Sequence, residues 1–260
     1  METLWKNFDE PVMAWVQGAS RGIGLGMVET LLRDGQTNIV IATSRHPEQS
    51  ERLMALKQEH PERLEVFGMD VTDEGSIIRA VEQVEEHAAS LNLVINTAGV
   101  LHDQSMGLSP EKRLDDLDAE ALDRAFRVNT IGAMLWIKHV HTFLPRQGRS
   151  VLASLSARVG SIGDNRLGGW YGYRMSKAAL NQGMHTAAIE IGRKWKEAIC
   201  VLLHPGTVDT GLSKPFQKNV PQGKLFEVEE SVRHLFDVID TLKVEDSGEL
   251  FDWAGERIVW

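Results

Sequence analysis

The sequence is poor in the features that commit a chain to the cell exterior, a membrane or nucleic acid. Of 260 residues one is cysteine, Cys200, set among Ile199, Val201, Leu202 and Leu203. No internal disulfide can form, and the composition fits a reducing compartment. No apolar run approaches the length that crosses a bilayer, and the acidic N-terminus lacks the charged and apolar regions of a signal peptide. A cytoplasmic protein with no membrane partner is expected. Positive charge is also scarce. The 28 Lys and Arg against 37 Asp and Glu leave a net charge of −9, which argues against a nucleic-acid partner without excluding a local basic pocket. His139 and His141 fall on different helix faces, and no Cys/His/carboxylate cluster has ligand spacing, so no metal is expected. Only two tyrosines occur, Tyr171 and Tyr173.

What is present is ordinary globular material, 42% hydrophobic and 25% charged, enough for one sizeable α/β domain over residues 1–260. Apolar strand-like runs cover 11–16, 38–42, 64–69, 91–95, 150–154, 198–203 and 249–252. Helical patterns lie between them, including a long one at 117–143, one at 173–194 and one at 228–242. Apolar strands alternating with helices predict a doubly wound Rossmann-type domain: a parallel sheet of about seven strands, flanked by helices on both faces. The Asp115, Asp116, Asp118 and Glu120 run reads as a solvated helix N-terminus. The seven tryptophans are assigned to core and interface, with Trp170 placed near substrate. Residues 212–226, with Pro215, Pro221 and Gly223 and no regular period, read as a mobile lid.

Two local patterns carry chemistry. After the first strand, Gly18-Ala19-Ser20-Arg21-Gly22-Ile23-Gly24 opens an apolar helix, an arrangement that points backbone N–H groups and a helix N-terminus at a phosphate. Its spacing is Gly-x-x-x-Gly-x-Gly rather than the general dinucleotide fingerprint. Far downstream, Tyr173 and Lys177 sit one helical turn apart. A fixed ammonium there would lower the pKa of a phenol and make it a usable acid or base. Tyr171 has no lysine four positions later.

With polar groups at the strand ends, Asp70-Val71, Asn96-Thr97-Ala98-Gly99, Ser154-Leu155-Ser156 and His204-Pro205-Gly206-Thr207, and with Asn129, the whole chain resembles the short-chain dehydrogenase/reductase family. Ser156 to Ile162, Tyr171 to Arg174 and His204 to Gly206 look closest to the C-factor and Sniffer-like carbonyl reductases. The resemblance implies four catalytic residues. Tyr173 is the general acid/base, Lys177 lowers its pKa and holds the nicotinamide ribose, and Ser156 hydrogen-bonds the substrate carbonyl. Asn129 holds a water linked to Lys177. Ser156 precedes Tyr173 by 17 positions, a longer gap than is common in the family, which fits an insertion at 160–169. Ser154 and Ser161 stand as rivals.

For the cofactor, the resemblance implies Gly18, Ser20, Arg21, Gly22, Ile23 and Gly24 at the phosphates and Asp70 and Val71 at the adenine. It implies Asn96, Ala98 and Gly99 along the cofactor, with Pro205, Gly206, Thr207 and Val208 near the carboxamide. Asn96 reads equally as a tie between strands, and His204 as a satisfied strand-end histidine. No acid follows strand two, where Ser44 and Arg45 stand instead; Arg21 and Arg45 suit a 2′-phosphate, so NADP(H) is expected over NAD(H). The expected activity is hydride transfer between a small carbonyl compound and an alcohol. The alternative is a nucleotide-binding regulatory protein of C-factor type. A homodimer or homotetramer is expected from the resemblance.

Overall fold

Period-two alternation along the strands decides which layer each side chain joins. In β1 (Val12–Gln17), Val12, Ala14 and Val16 enter one apolar cluster while Trp15 enters another. In β5 (Ser150–Leu155) the same split sends Val151, Ala153 and Leu155 one way and Leu152 the other. The result in this computed structural model, which describes residues 4–8, 11–103 and 107–260, is a sheet covered on both faces. The remaining sheet strands are β2 (Thr37–Ser44), β3 (Leu64–Gly68), β4 (Leu93–Asn96), β6 (Ala198–His204) and β9 (Leu250–Asp252). Their order is β3-β2-β1-β4-β5-β6-β9, all parallel. The order reverses direction between β1 and β4, which opens a crevice at the strands' carboxyl ends.

One face packs against α1 (Gly22–Arg33), α2 (Glu51–Glu59) and α7 (Val228–Thr241), the other against α3 (Glu74–Glu85), α5 (Ala133–Val140) and α6 (Tyr171–Ile191). Asp73 caps α3, its carboxylate accepting from the Gly75 N–H, and Asp118 caps α4 (Ala119–Phe126) in the same way through Ala121. The long helical pattern at 117–143 is not continuous. Between α4 and α5 the chain makes a π-helical stretch, Arg127–Gly132, carrying the fully buried Asn129. A Cβ at Gly132 would stand 2.7 Å from the Val71 carbonyl oxygen, so only glycine lets the widened turn press on the chain after β3.

The 212–226 segment also has more regular structure than its sequence suggests. It contains a 3-10 helix, Lys214–Asn219, and β8 (Leu225–Phe226), which pairs with β7 (Thr207–Val208). The Gln217 amide donates to Asp209 and to Ser213, tying the middle of the segment to its root. Among the described residues, no helix is long and apolar enough to cross a membrane.

Candidate active site

The glycine turn is held by atoms that leave no room for side chains. Gly18 and Gly22 have φ of +88° and +55°. A Cβ at Gly18 would meet Thr97 Oγ1 at 2.6 Å and the Ala98 nitrogen at 2.9 Å, and one at Gly24 would overlap the Gly18 carbonyl oxygen. Thr97, quoted in the strand-end motif but given no role there, is the fastener: its hydroxyl donates to the Gln17 carbonyl at 2.8 Å while its N–H bonds the same oxygen. Ile23 packs on the core beneath, and the Ser20 carbonyl accepts from the Ser50 hydroxyl. The α1 N-terminus therefore opens at Arg21 into the crevice.

Around that opening lie groups with unspent polar capacity. The Ser44 hydroxyl, at the end of β2, is buried without a hydrogen-bond partner. Arg21 and Arg45 are exposed, and neither makes an ion pair among the described residues, although acidic side chains outnumber basic ones in this chain. A glycine cradle, an orphaned hydroxyl and two unpaired guanidinium groups fit a phosphorylated dinucleotide. Asp70 keeps one carboxylate oxygen on Thr72 and is part-exposed. Val71 is 4% exposed and packs on Gly132. The Asn96 side chain accepts from the Ala98 N–H, tying down its own loop. Gly99 faces the chemistry, since a Cβ there would sit 3.5 Å from both Asn129 Oδ1 and Lys177 Nζ.

The predicted catalytic residues converge at the β4, β5 and α6 ends. Lys177 is buried and its Nζ donates to the Leu155 carbonyl at 2.9 Å, lying 5.8 Å from the Tyr173 ring centre. Loss of hydration pushes the half-buried Tyr173 up to about 12 and the buried Lys177 down to about 8. Both groups hold their protons at neutral pH. The Asn129 side chain is occupied as a clamp, accepting from the Val100 N–H and donating to the Val100 carbonyl and to the Ser176 hydroxyl.

The serines separate clearly. Ser156 Oγ donates its hydrogen to Asn181 Oδ1 at 2.6 Å in a buried pair. Ser154 is fully buried with an unpartnered hydroxyl, and Ser161 accepts from the Asp164 N–H. Asn181 was not legible as a partner, because nothing in its local sequence marks it.

Farther out, Pro205 receives the Ser231 hydroxyl on its carbonyl, and Gly206, with φ +78°, lies against the Phe226 ring. Thr207 and Val208 form β7 beneath the 212–226 segment. His204 is half-buried with its Nδ1 left without a hydrogen-bond partner among the described residues, so it is not the satisfied strand-end histidine expected; loss of hydration, reinforced by Arg158, pulls its imidazole down to about 4, so it stays neutral. One further residue emerges only in three dimensions. Glu111, 6% exposed, accepts the Gly172 N–H on its carboxylate and the Trp170 N–H on its backbone carbonyl. It caps the helix that carries Tyr173 from a distant loop.

A sequence model described as short chain dehydrogenase matches residues 12–221. C-signal of Myxococcus xanthus is 35% identical over 173 residues, covering 65% of this chain and 93% of its own. The 1-hydroxy-2-glutathionyl-2-methyl-3-butene dehydrogenase of Rhodococcus sp. is 32% identical over 74% of this chain and 79% of its own. Among solved structures, the NADPH-bound carbonyl reductase from chicken fatty liver superimposes with a TM-score of 0.85 at 29% identity, covering 98% of this chain and 96% of that one.

Proposed function

The chain belongs to the short-chain dehydrogenase family, and on that premise we propose that it is an NADP(H)-dependent oxidoreductase interconverting a carbonyl compound and an alcohol, with Tyr173 as the general acid/base. The observation that carries this reading is the meeting of Tyr173 and Lys177 with Gly99 and Asn129 at the end of the glycine-turn crevice. A nucleotide-binding module has no use for a buried ammonium beside a phenol. When bound, the dihydronicotinamide supplies the hydride.

Each residue then has a bounded task. The Tyr173 phenol, protonated at neutral pH, donates to the carbonyl oxygen as negative charge develops there. Lys177, held on the Leu155 carbonyl, would offer its remaining N–H groups to the ribose hydroxyls and its charge to the phenolate that Tyr173 becomes on giving up its proton. Asn129 fixes the Val100 loop and, through Ser176, the first turns of α6, so that Tyr173 and Gly99 keep their relation. Ser156 polarises the carbonyl only by giving up Asn181, which makes it a smaller contributor than Tyr173. Arg21, Arg45 and Ser44 favour a 2′-phosphate over a bare hydroxyl, in keeping with the NADPH held by the chicken reductase.

The likeness to C-signal favours a second reading, a nucleotide-binding signalling protein with little turnover. NADPH oxidation measured with a panel of small aldehydes and ketones separates the two. Turnover is expected, with Tyr173→Phe losing about 10²- to 10⁴-fold in kcat while NADPH affinity is kept. No turnover with any carbonyl, or a phenylalanine variant as active as the parent, would overturn the enzymatic reading.

A further inference from the structure

Trp170 is the one non-glycine residue among those described with a left-handed backbone, φ +54° and ψ +43°. It follows Gly168 and Gly169, at φ +64° and +66°, so three successive residues turn the same unusual way before α6 begins. Tryptophan has no intrinsic reason to accept this conformation. The turn is fastened from two sides instead. Glu111 receives the Trp170 N–H and caps Gly172, while Arg174 donates to the carbonyls of Gly169, Gly168 and Val159.

What the strained turn achieves is placement of the indole. Its ring lies 6.3 Å from the Tyr173 ring and 5.0 Å from Phe216 of the 214–219 helix, edge to face in both cases. Phe216 in turn meets His102 at 5.7 Å, and His102 is anchored through Nε2 on the Gly211 carbonyl. Rings from the loop after β4, the α6 entrance, α6 and the overlying segment thus form one aromatic wall beside the proton donor. Trp170 and Phe216 are both only half-buried. The part of each ring that stays open to solvent can receive another ring.

We propose that Trp170 is a specificity-determining residue, and that with Phe216 it selects carbonyl compounds bearing an aromatic ring beside the carbonyl carbon. The inference deepens, and rests on, the reading of Tyr173 as the proton donor to a carbonyl. An aryl ketone laid against the indole would keep its ring on the wall and bring its oxygen to the phenol. A saturated ring of equal size gains the area but not the ring–ring term.

The test uses acetophenone and cyclohexyl methyl ketone, which match in size. Binding of each to the NADP⁺-loaded protein is measured by calorimetry, and turnover of each with NADPH, in the parent, Trp170→Leu, Trp170→Gly and Phe216→Leu. Trp170→Gly suits the left-handed backbone and so controls for a turn that leucine would disturb. The parent is expected to prefer the aryl ketone. Each variant should lose about two- to tenfold of that preference, the size of one aromatic pair, with NADP⁺ affinity unchanged. Equal preference in parent and Trp170 variants, or a parent that favours the saturated ketone, would overturn the proposal. If the aryl preference is present in binding and lost in the variants while neither ketone is reduced, the specificity role stands and the reductase reading falls. Turnover without any aryl preference does the reverse.

Discussion

Around the glycine turn the contacts are backbone against backbone with one hydroxyl wedged between: Gly18 and Gly24 meet each other, Thr97 Oγ1 and the Ala98 nitrogen with no space for a further side chain. Around Tyr173 they run between side chains drawn from separate segments, Trp170, Phe216 and His102 on one side, Asn129 and Ser176 on another. The first construction fixes one shape and tolerates few residues. The second fixes a position for the phenol and leaves the wall beside it open to exchange. On the proposed reading, substrate preference can change at the turn 168–170 and at Phe216, positions that touch none of Gly18, Gly24 and Thr97.

The strongest way to break that contrast is to put a methyl group into the tight half. Gly24→Ala places a Cβ against the Gly18 carbonyl and Thr97, neither of which can yield without opening the loop. Stability is expected to fall by about 1–3 kcal/mol, read as a lower Tm, and NADPH binding in a fluorescence titration should be lost. Gly68→Ala, where nothing lies within 4 Å, serves as the control and should bind normally. If Gly24→Ala binds NADPH as well as the parent, the loop is not the rigid cradle described.

A smaller effect tests whether the open rim of the same half reads the phosphate. Arg45→Ala removes one of the two unpaired guanidinium groups. A charge-assisted hydrogen bond is worth about 1.5–3 kcal/mol, so NADPH affinity should drop about ten- to a hundredfold while NADH affinity hardly moves. Equal losses for both nucleotides would mean that Arg45 meets the shared pyrophosphate instead. Loss for neither would assign the rim to Arg21 and Ser44.

The two halves also differ in how far they could be read in advance. The seven strands, their parallel arrangement, the glycine turn and the Tyr173–Lys177 register were legible because each depends on residues close in sequence: alternation, a turn motif, one helical repeat. Strand ends shifted by a residue or two. The missed features are those set by distant partners. The break at 127–132 depends on Gly132 fitting against Val71, which no local period reveals. Glu111 carries no local signal in the sequence, and only its approach to Gly172 makes it a cap. The direction of the Tyr173 shift depends on distant packing for the same reason. Spacing placed an ammonium near the phenol, but burial, which spacing does not report, sets the direction of both shifts.

The smallest expected effect bears on Ser156, which belongs to neither construction. Ser156 lies on the chain leaving β5, beside the reacting centre, yet spends its hydrogen on Asn181. Were it a pre-set donor to the developing alkoxide, Ser156→Ala would cost about 10²- to 10³-fold in kcat, as loss of an oxyanion donor does. As a structural hydroxyl, its removal instead strands the buried Asn181 carbonyl, costing about 1–3 kcal/mol of stability. The geometry favours the second: a lowered Tm, with kcat reduced by less than about tenfold. Asn181→Ala sharpens the distinction, because it frees the Ser156 hydrogen. If turnover rises in that variant and falls back in the Ser156→Ala/Asn181→Ala pair, the serine is a donor held in check by its neighbour. If both variants only soften the fold, proton and polarisation alike come from Tyr173.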